Sequence, residues 1–304
     1  MPAQRMHAAQ QVVPVAAPAA FVYRLLADAR RWPLLMPRYV HVERIDFDGV
    51  EERLWAWELA CDRVRRTQVS RVLDPHTWSI DFEQHDAARP GGSAAGRWSV
   101  EPLGRERSLL TLHQHYRGPH SLDAAPAAQL EWIRRAGEHW EEANELLLCF
   151  EERVHVRGPA DLLCGFLQRV GEWTGKPAHV VRAKAREYQP GVQLTTVETD
   201  VGPAGPHPAT IETLWLSFPH AGRIVHKDLR APAPIAARTG EWSLEPDREG
   251  VTATVSHQVL LRPQAVRTAP AQLRRTVREW LCSGTAETVA LAERHAQDTL
   301  RRRR

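Results

Sequence analysis

The chain contains one sequence twice. Gly96-Arg97-Trp98-Ser99-Val100-Glu101-Pro102 returns as Gly240-Glu241-Trp242-Ser243-Leu244-Glu245-Pro246, an offset of 144 residues. The same offset carries His113-Gln114 onto His257-Gln258, Ile80 onto Ile224 and Pro75-His76 onto Pro219-His220. Nearer the start of each half the offset is 141: Val13-x-Val15-x-x-Pro18 matches Val154-x-Val156-x-x-Pro159, and Trp32 matches Trp173. Several matches in one order, with a slowly drifting offset, are hard to obtain by chance. The 304 residues therefore read as two copies of one domain, 1–150 and 151–300, joined near residues 150–153 and followed by a basic tail at 301–304.

Each copy repeats one order of elements. A short strand (roughly 10–16, and 152–157) leads through a proline into a helix around 18–29 or 159–171. Period-two strands follow in the first half at Leu54 to Leu59, Gln68 to Leu73, Ser79 to Gln84, Gly96 to Val100 and Leu109 to Tyr116. A long helix closes each copy, at roughly 125–150 and 268–297. In the first, Leu130, Ile133, Gly137, Trp140, Asn144 and Leu147 fall on one face at spacings of three and four; in the second, Leu273, Val277, Trp280, Gly284, Glu287 and Leu291 do the same. One antiparallel sheet plus one helix with an apolar face is an α+β pattern, with the helix laid across a curved sheet and a cavity between them. Loops rich in Gly and Pro, Ala88 to Ala95 and Val201 to Pro208, are expected to rim it.

Composition removes other classes. No run approaches eighteen apolar residues, so no membrane span is expected. Pro14 and Pro18 interrupt the N-terminal apolar stretch, which does not read as a signal peptide. Cys61, Cys149, Cys164 and Cys282 stand far apart and read as buried, reduced thiols of a cytoplasmic protein. A formal charge of +3, from 40 basic and 37 acidic residues, is too balanced for a nucleic-acid footprint, and Arg301 to Arg304 read as a frayed tail. Lysines number three (Lys176, Lys184, Lys227), which leaves few groups for Schiff-base chemistry. No Gly-rich phosphate loop, HExxH or GxSxG is present, so hydride, phosphoryl and acyl transfer find no support. Any chemistry falls to acid–base and electrostatic side chains in a cavity, among 11 tryptophans able to line it.

Certain runs resemble a known family. After the first helix come Ala29-Arg30-Arg31-Trp32-Pro33 and Pro37-Arg38-Tyr39. Ser70-Arg71-Val72-Leu73-Asp74-Pro75 and Ile80-Asp81-Phe82-Glu83-Gln84 then precede Gly96-Arg97-Trp98. The second half has Ile224-Val225-His226-Lys227-Asp228-Leu229-Arg230-Ala231-Pro232 before Gly240-Glu241-Trp242. In order and duplication these motifs resemble the two-domain aromatase/cyclases of bacterial type II polyketide synthases, over nearly the whole chain except the arginine tail. The resemblance implies two tandem helix-grip domains of the START and birch-pollen-allergen type. It implies aldol cyclisation and dehydration of a poly-β-ketone tethered to an acyl carrier protein, after a ketoreductase, closing the first ring between carbons seven and twelve. No cofactor or metal is implied. The partners are that carrier protein and the other synthase components, with no nucleic acid or membrane, and the two joined halves could mimic a dimer within a monomer.

The same resemblance ranks the candidate residues. Arg71 aligns with the family's pocket arginine and could hold an enolate. His113 and His115 share one strand face where the family places a histidine; the alignment does not choose between them, while the repeat favours His113 because His257 alternates with Val251, Ala253, Val255, Val259 and Leu261. Tyr39 could donate to a carbonyl. Trp32, Phe82, Trp98 and Trp242 are expected to shape the pockets, and Asn144 to point inward from the closing helix. Leu148 stands where some single-domain relatives carry an acid. In the second half Arg71 becomes Trp215 and Tyr39 becomes Val180, leaving His226, Lys227, His257 and Glu287, the last on an apolar helix face where a carboxyl could act as an acid. The competing readings are a START-type protein that only binds a hydrophobic ligand, which predicts an apolar cavity with Arg71 outside, and a scaffold with filled cavities.

Overall fold

A computed structural model describes residues 6–60, 63–86, 93–117, 125–174, 176–267 and 269–303. Its contacts divide the chain into two units, Met1–Ala143 and Asn144–Arg304. In the first, seven strands are β1 (Met6–Val15), β2 (Tyr39–Phe47), β3 (Glu51–Ala60), β4 (Arg63–Asp74), β5 (Ser79–Asp86), β6 (Ser93–Pro102) and β7 (Ser108–Arg117). They form one antiparallel sheet in the order β1-β7-β6-β5-β4-β3-β2. Helix α1 (Ala19–Ala27) and the short turn α2 (Trp32–Leu35) lie between β1 and β2, and α3 (Ala125–Gly137) packs on β1.

The second unit repeats this plan. After the turn α4 (Ala143–Leu146) come β8 (Leu147–Arg157), α5 (Ala160–Gln168) and the turn α6 (Val170–Trp173). Then follow β9 (Val180–Gln189), β10 (Val192–Thr199), β11 (Ala209–Phe218), β12 (Arg223–Arg230), β13 (Ile235–Pro246) and β14 (Gly250–Leu261). The turn α7 (Pro263–Val266) leads into α8 (Pro270–Arg302), which lies against β8 and α5. The sheet order is β8-β14-β13-β12-β11-β10-β9, strand for strand that of the first.

The repeated residues have repeated jobs. The Trp32 indole donates to the Leu26 carbonyl at the end of α1 (3.2 Å), and the Trp173 indole to the Leu167 carbonyl at the end of α5 (3.0 Å). Each satisfies a terminal carbonyl that the helix leaves without a partner. Gly96 and Gly240 are places of close approach: a Cβ on Gly96 would meet the Phe82 ring at 2.9 Å and the His113 carbonyl oxygen at 2.1 Å, and one on Gly240 the His226 ring at 2.6 Å. Gly137 likewise lets α3 cross β1, since a Cβ there would lie 2.3 Å from a Val15 methyl. Leu26, Val22, Leu54, Ile80 and Leu110 fill the first core, and Leu163, Phe166, Val251 and Val255 the second.

Several expectations change. The first closing helix ends at Gly137, not near 150, and Leu147 onward is strand β8. Leu148, Phe150, Glu152, Val154 and Val156 face inward while Cys149, Glu151, Arg153, His155 and Arg157 are exposed, a period-two pattern that pairs with β14 and overrides the helical spacing. The unit boundary accordingly falls at 143/144. Cys149 is exposed, and Cys164 and Cys282 are partly buried; Cys61 lies outside the described residues. Arg301 and Arg302 are helical, the last residues of α8, and exposed. Of the expected rim loops, Val201 to Pro208 is irregular, whereas Ser93 to Ala95 begin β6 and residues 88–92 lie outside the described set. Among the described residues no helix is long and apolar enough to cross a membrane.

Candidate active site

The cavity of the first unit lies between the inner face of its sheet, the α1–β2 segment and α3. Leu26, Trp32, Met36, Arg38, Tyr39, Val69, Arg71, Phe82, Gln84, Trp98, Leu112, Gln114 and Gln129 line it, around about 670 Å³ of space counted with its open mouth. Four flat rings form much of its wall. Trp32 and Tyr39 lie 5.0 Å apart, and Phe82 is seated over Gly96. Trp98 follows two residues after that glycine on the same face of β6.

Polar groups fill the remaining wall. Tyr39 is buried, and its hydroxyl accepts a bond from Gln129 Nε2 at 3.3 Å. Burial, with the nearby Glu58 charge, pushes the phenol well above its ordinary range, so it stays a neutral donor. Behind the wall Glu58 accepts bonds from Arg38 and from Gln84 Nε2 (3.0 Å), and Gln84 also donates to Thr67 Oγ1 (3.2 Å). This carboxylate therefore fixes the orientation of two lining side chains.

Arg71 lines the cavity, yet its guanidinium is committed elsewhere. Nε donates to Glu52 Oε2 at 2.9 Å, Nη2 donates to the same oxygen and to the Ala27 carbonyl (2.7 Å), and Nη1 donates to the Leu26 carbonyl (2.7 Å). Arg44 Nε binds the other oxygen of Glu52 at 2.6 Å, so one fully buried carboxylate is clamped by two arginines. Burial lowers the Arg71 pKa and Glu52 raises it; a guanidinium remains charged under both influences. Its plane lies over Trp32 (4.8 Å), and its bonds to the α1 carbonyls use the attraction of a cation for a helix C-terminus. Arg71 thus ties α1, Trp32 and β3 together under the cavity. In the second unit Trp215 takes this position, edge-on to Trp173 at 5.4 Å and bonded to Thr195 Oγ1 (2.9 Å).

His113 and His115 do not reach the cavity; both are exposed on the outer face of β7, where Leu110, Leu112 and Gln114 face inward. The 144 offset breaks at the preceding turn. Pro102 pairs with Ser108 in the first unit and Pro246 with Val251 in the second, so the first turn is one residue longer. A one-residue slip moves every side chain to the other face. The counterpart of His257 is therefore Gln114, opposite Gly96 as His257 is opposite Gly240. The alternation of Leu110, Leu112 and Gln114 with Thr111, His113 and His115 carried that signal.

Asn144 is also misplaced: it is exposed, outside α3, and begins the second unit. Glu287 does not sit on an apolar face; its side chain is 39% exposed and lies 3.5 Å from His179 Nδ1. Trp242 packs with Trp173 and Trp215 in the second core. His226 and His257 are buried on inner strand faces of the second unit. Among the described residues no three His, Cys, Asp or Glu side chains converge as a metal would require.

Residues 6–138 match the family model of polyketide cyclase/dehydrase and lipid transport proteins. The chain is 30% identical over 246 residues to the granaticin polyketide synthase bifunctional cyclase/dehydratase of Streptomyces virginiae, covering 75% of this chain and 78% of that one. It is 26% identical over 302 residues to the actinorhodin counterpart of Streptomyces coelicolor, covering 93% and 89%. Two solved structures share the whole plan. The di-domain ARO/CYC BexL, from the BE-7585A biosynthetic pathway, is 27% identical with a TM-score of 0.77, over 95% of this chain and 98% of that one. StfQ, from the steffimycin pathway, shows the same fold at 24% identity, with a TM-score of 0.79 over 96% and 99%. Doubled helix-grip fold, cavity and kinship agree: the chain belongs to the two-domain aromatase/cyclases, the bifunctional cyclase/dehydratase enzymes of type II polyketide synthases.

Proposed function

We propose that the cavity of the first unit closes the first ring of a ketoreduced poly-β-ketone, joining carbons seven and twelve, while an acyl carrier protein presents the chain in the cytosol. The observation that carries this reading is the lining itself: it combines the flat rings of Trp32, Tyr39, Phe82 and Trp98 with the amides of Gln84, Gln114 and Gln129. A chain of alternating carbonyls needs both surfaces to fold and stay registered, and a purely lipid-binding cavity would need only the first.

Among the described lining residues no side chain is a strong base; the cations Arg38 and Arg71, a neutral phenol and three amides are all donors. Such a site acts on the carbonyls. Hydrogen bonds from Arg38 and the amides acidify the carbon between two carbonyls and hold the enolate that remains when water at the open mouth takes its proton. That carbon bonds to the distant ketone, and the developing alkoxide receives a bond from Tyr39 and a proton from solvent, leaving a β-hydroxy ketone. Arg71 and Glu52 position Trp32 and α1 behind this surface.

The test is product analysis in a reconstituted synthase with its carrier protein and ketoreductase, with and without this protein. Conversion of shunt products to one first-ring isomer supports the reading. An unchanged product distribution overturns it and leaves ligand binding as the function.

A further inference from the structure

The second unit brings two histidines together where the first has none. His226 on β12 pairs with Gly240 on β13, and Gly240 with His257 on β14. Only a glycine stands between them, and the His226 ring lies over it, with Cε1 2.6 Å from where a Cβ would be. The same register in the first unit reads Phe82, Gly96, Gln114. Divergence of the repeat has therefore replaced a ring and an amide by two imidazoles.

A third group orients one of them. Glu152 Oε1 lies 2.8 Å from His257 Nε2 and accepts a bond from Thr285 Oγ1 at 2.5 Å. A carboxylate only accepts, so Nε2 bears the proton and the lone pair of His257 is at Nδ1. That Nδ1 and both nitrogens of His226 are buried and have no hydrogen-bond partner among the described residues. Unpartnered buried polar atoms destabilise a fold; three in one cluster point to a ligand that the chain does not supply. Burial, with Arg238 nearby (held by both Asp228 oxygens at 2.7 and 3.0 Å), lowers the pKa of both imidazoles, against the upward pull of Glu152 on His257, and so disfavours a positive charge on either ring. A neutral imidazole with a free lone pair, oriented by a carboxylate, is the arrangement of a general base.

We propose that His257 and His226 form a second catalytic site, which dehydrates the β-hydroxy ketone made in the first unit. This rests on the function proposed above. His257 Nδ1 takes the proton from the carbon between the carbonyl and the carbinol. The C–H electron pair becomes the new C=C bond as the C–O bond to the hydroxyl breaks. The proton then passes from Nδ1 to the departing hydroxide, so water leaves and the imidazole returns to its starting state. The N–H of His226 donates to the carbonyl oxygen while the charge is on it. No co-reactant is needed.

The test uses the full chain in the reconstituted synthase, with His257→Gln and His226→Phe. The Gln amide can still donate to Glu152 but has no base, and Phe restores the residue type at position 82 of the first unit. The ratio of dehydrated to hydroxylated first-ring product is expected to fall about 100-fold or more with His257→Gln. Total cyclised product should stay at the wild-type level, and His226→Phe should melt no lower than wild type while losing dehydration. Wild-type dehydration by both variants overturns the inference. A wild-type protein that yields no cyclised product at all is a different result and sinks the proposed function itself.

Discussion

Replacing Arg71 by alanine removes four hydrogen bonds, two to Glu52 and two to the last carbonyls of α1. Glu52 has no solvent exposure and would keep only Arg44. Removing one partner of a buried pair costs about 3–5 kcal/mol, because the other charge stays buried. At about 2–4 °C per kcal/mol for a unit of this size, the first unit should melt on the order of 10 °C lower. Arg44 is 30% exposed and can turn to water. Replacing both partners by apolar residues of similar volume, Arg71→Met with Glu52→Leu, should therefore recover most of the loss. Thermal melts and urea titrations of the wild type, both single variants and the double variant give the coupling energy. A melting point for Arg71→Ala within about 2 °C of wild type would refute the reasoning. The guanidinium would then be uncommitted, and a purely electrostatic role for it would stand.

Three further outcomes are expected. His113→Ala and His115→Ala, on the outer face, should leave stability within about 0.5 kcal/mol and products unchanged, whereas Gln114→Leu should lower cyclised product in the same assay. Tyr39→Phe removes the 3.3 Å bond from Gln129 and should turn over about 10- to 100-fold more slowly, because the phenol holds the developing alkoxide, read from single-turnover rates. Stability should fall as pH drops below about 6.5, where unfolded histidine takes up a proton that His226 and His257 refuse because burial, with Arg238, lowers both pKa values. Glu152 bonds His257, Arg238 acts on both rings, and Asp228 holds that arginine. Lys227 on the same strand, brought down to about 7 by burial, titrates above that window. Urea midpoints between pH 5 and 7 should flatten in a His226→Phe, His257→Gln double variant, and an unchanged slope would count against the burial argument.

What could be read in the sequence was whatever a repeat and a period can carry. The tandem plan follows from the repeat and its motif order, whereas the pocket positions of Trp32, Tyr39, Phe82 and Trp98 come from the family resemblance. The histidine face was lost because an alignment offset has no knowledge of turn length, and one extra residue before Ser108 reverses the strand. Asn144 was lost because Leu146 to Val156 satisfy helical spacing briefly and strand spacing throughout, and pairing with β14 decides between them. The commitment of Arg71 to Glu52 and α1 joins residues 45 and 19 positions apart, which no local pattern reports. The same holds for the Glu152–His257 contact, which spans 105 positions.

The central claim is that the polyketide is cyclised in the cavity of the first unit. Gln129 lines that cavity from α3, is only partly buried, and makes one bond of 3.3 Å to Tyr39, so its replacement disturbs little of the core. Gln129→Trp would place an indole in the cavity. The measurement is the yield of first-ring product from this variant in the reconstituted synthase, with its melting point taken alongside. The account predicts that cyclised product falls to the level seen without protein while the melting point holds. Wild-type yield from a folded Gln129→Trp protein would contradict it and move the chemistry out of this cavity.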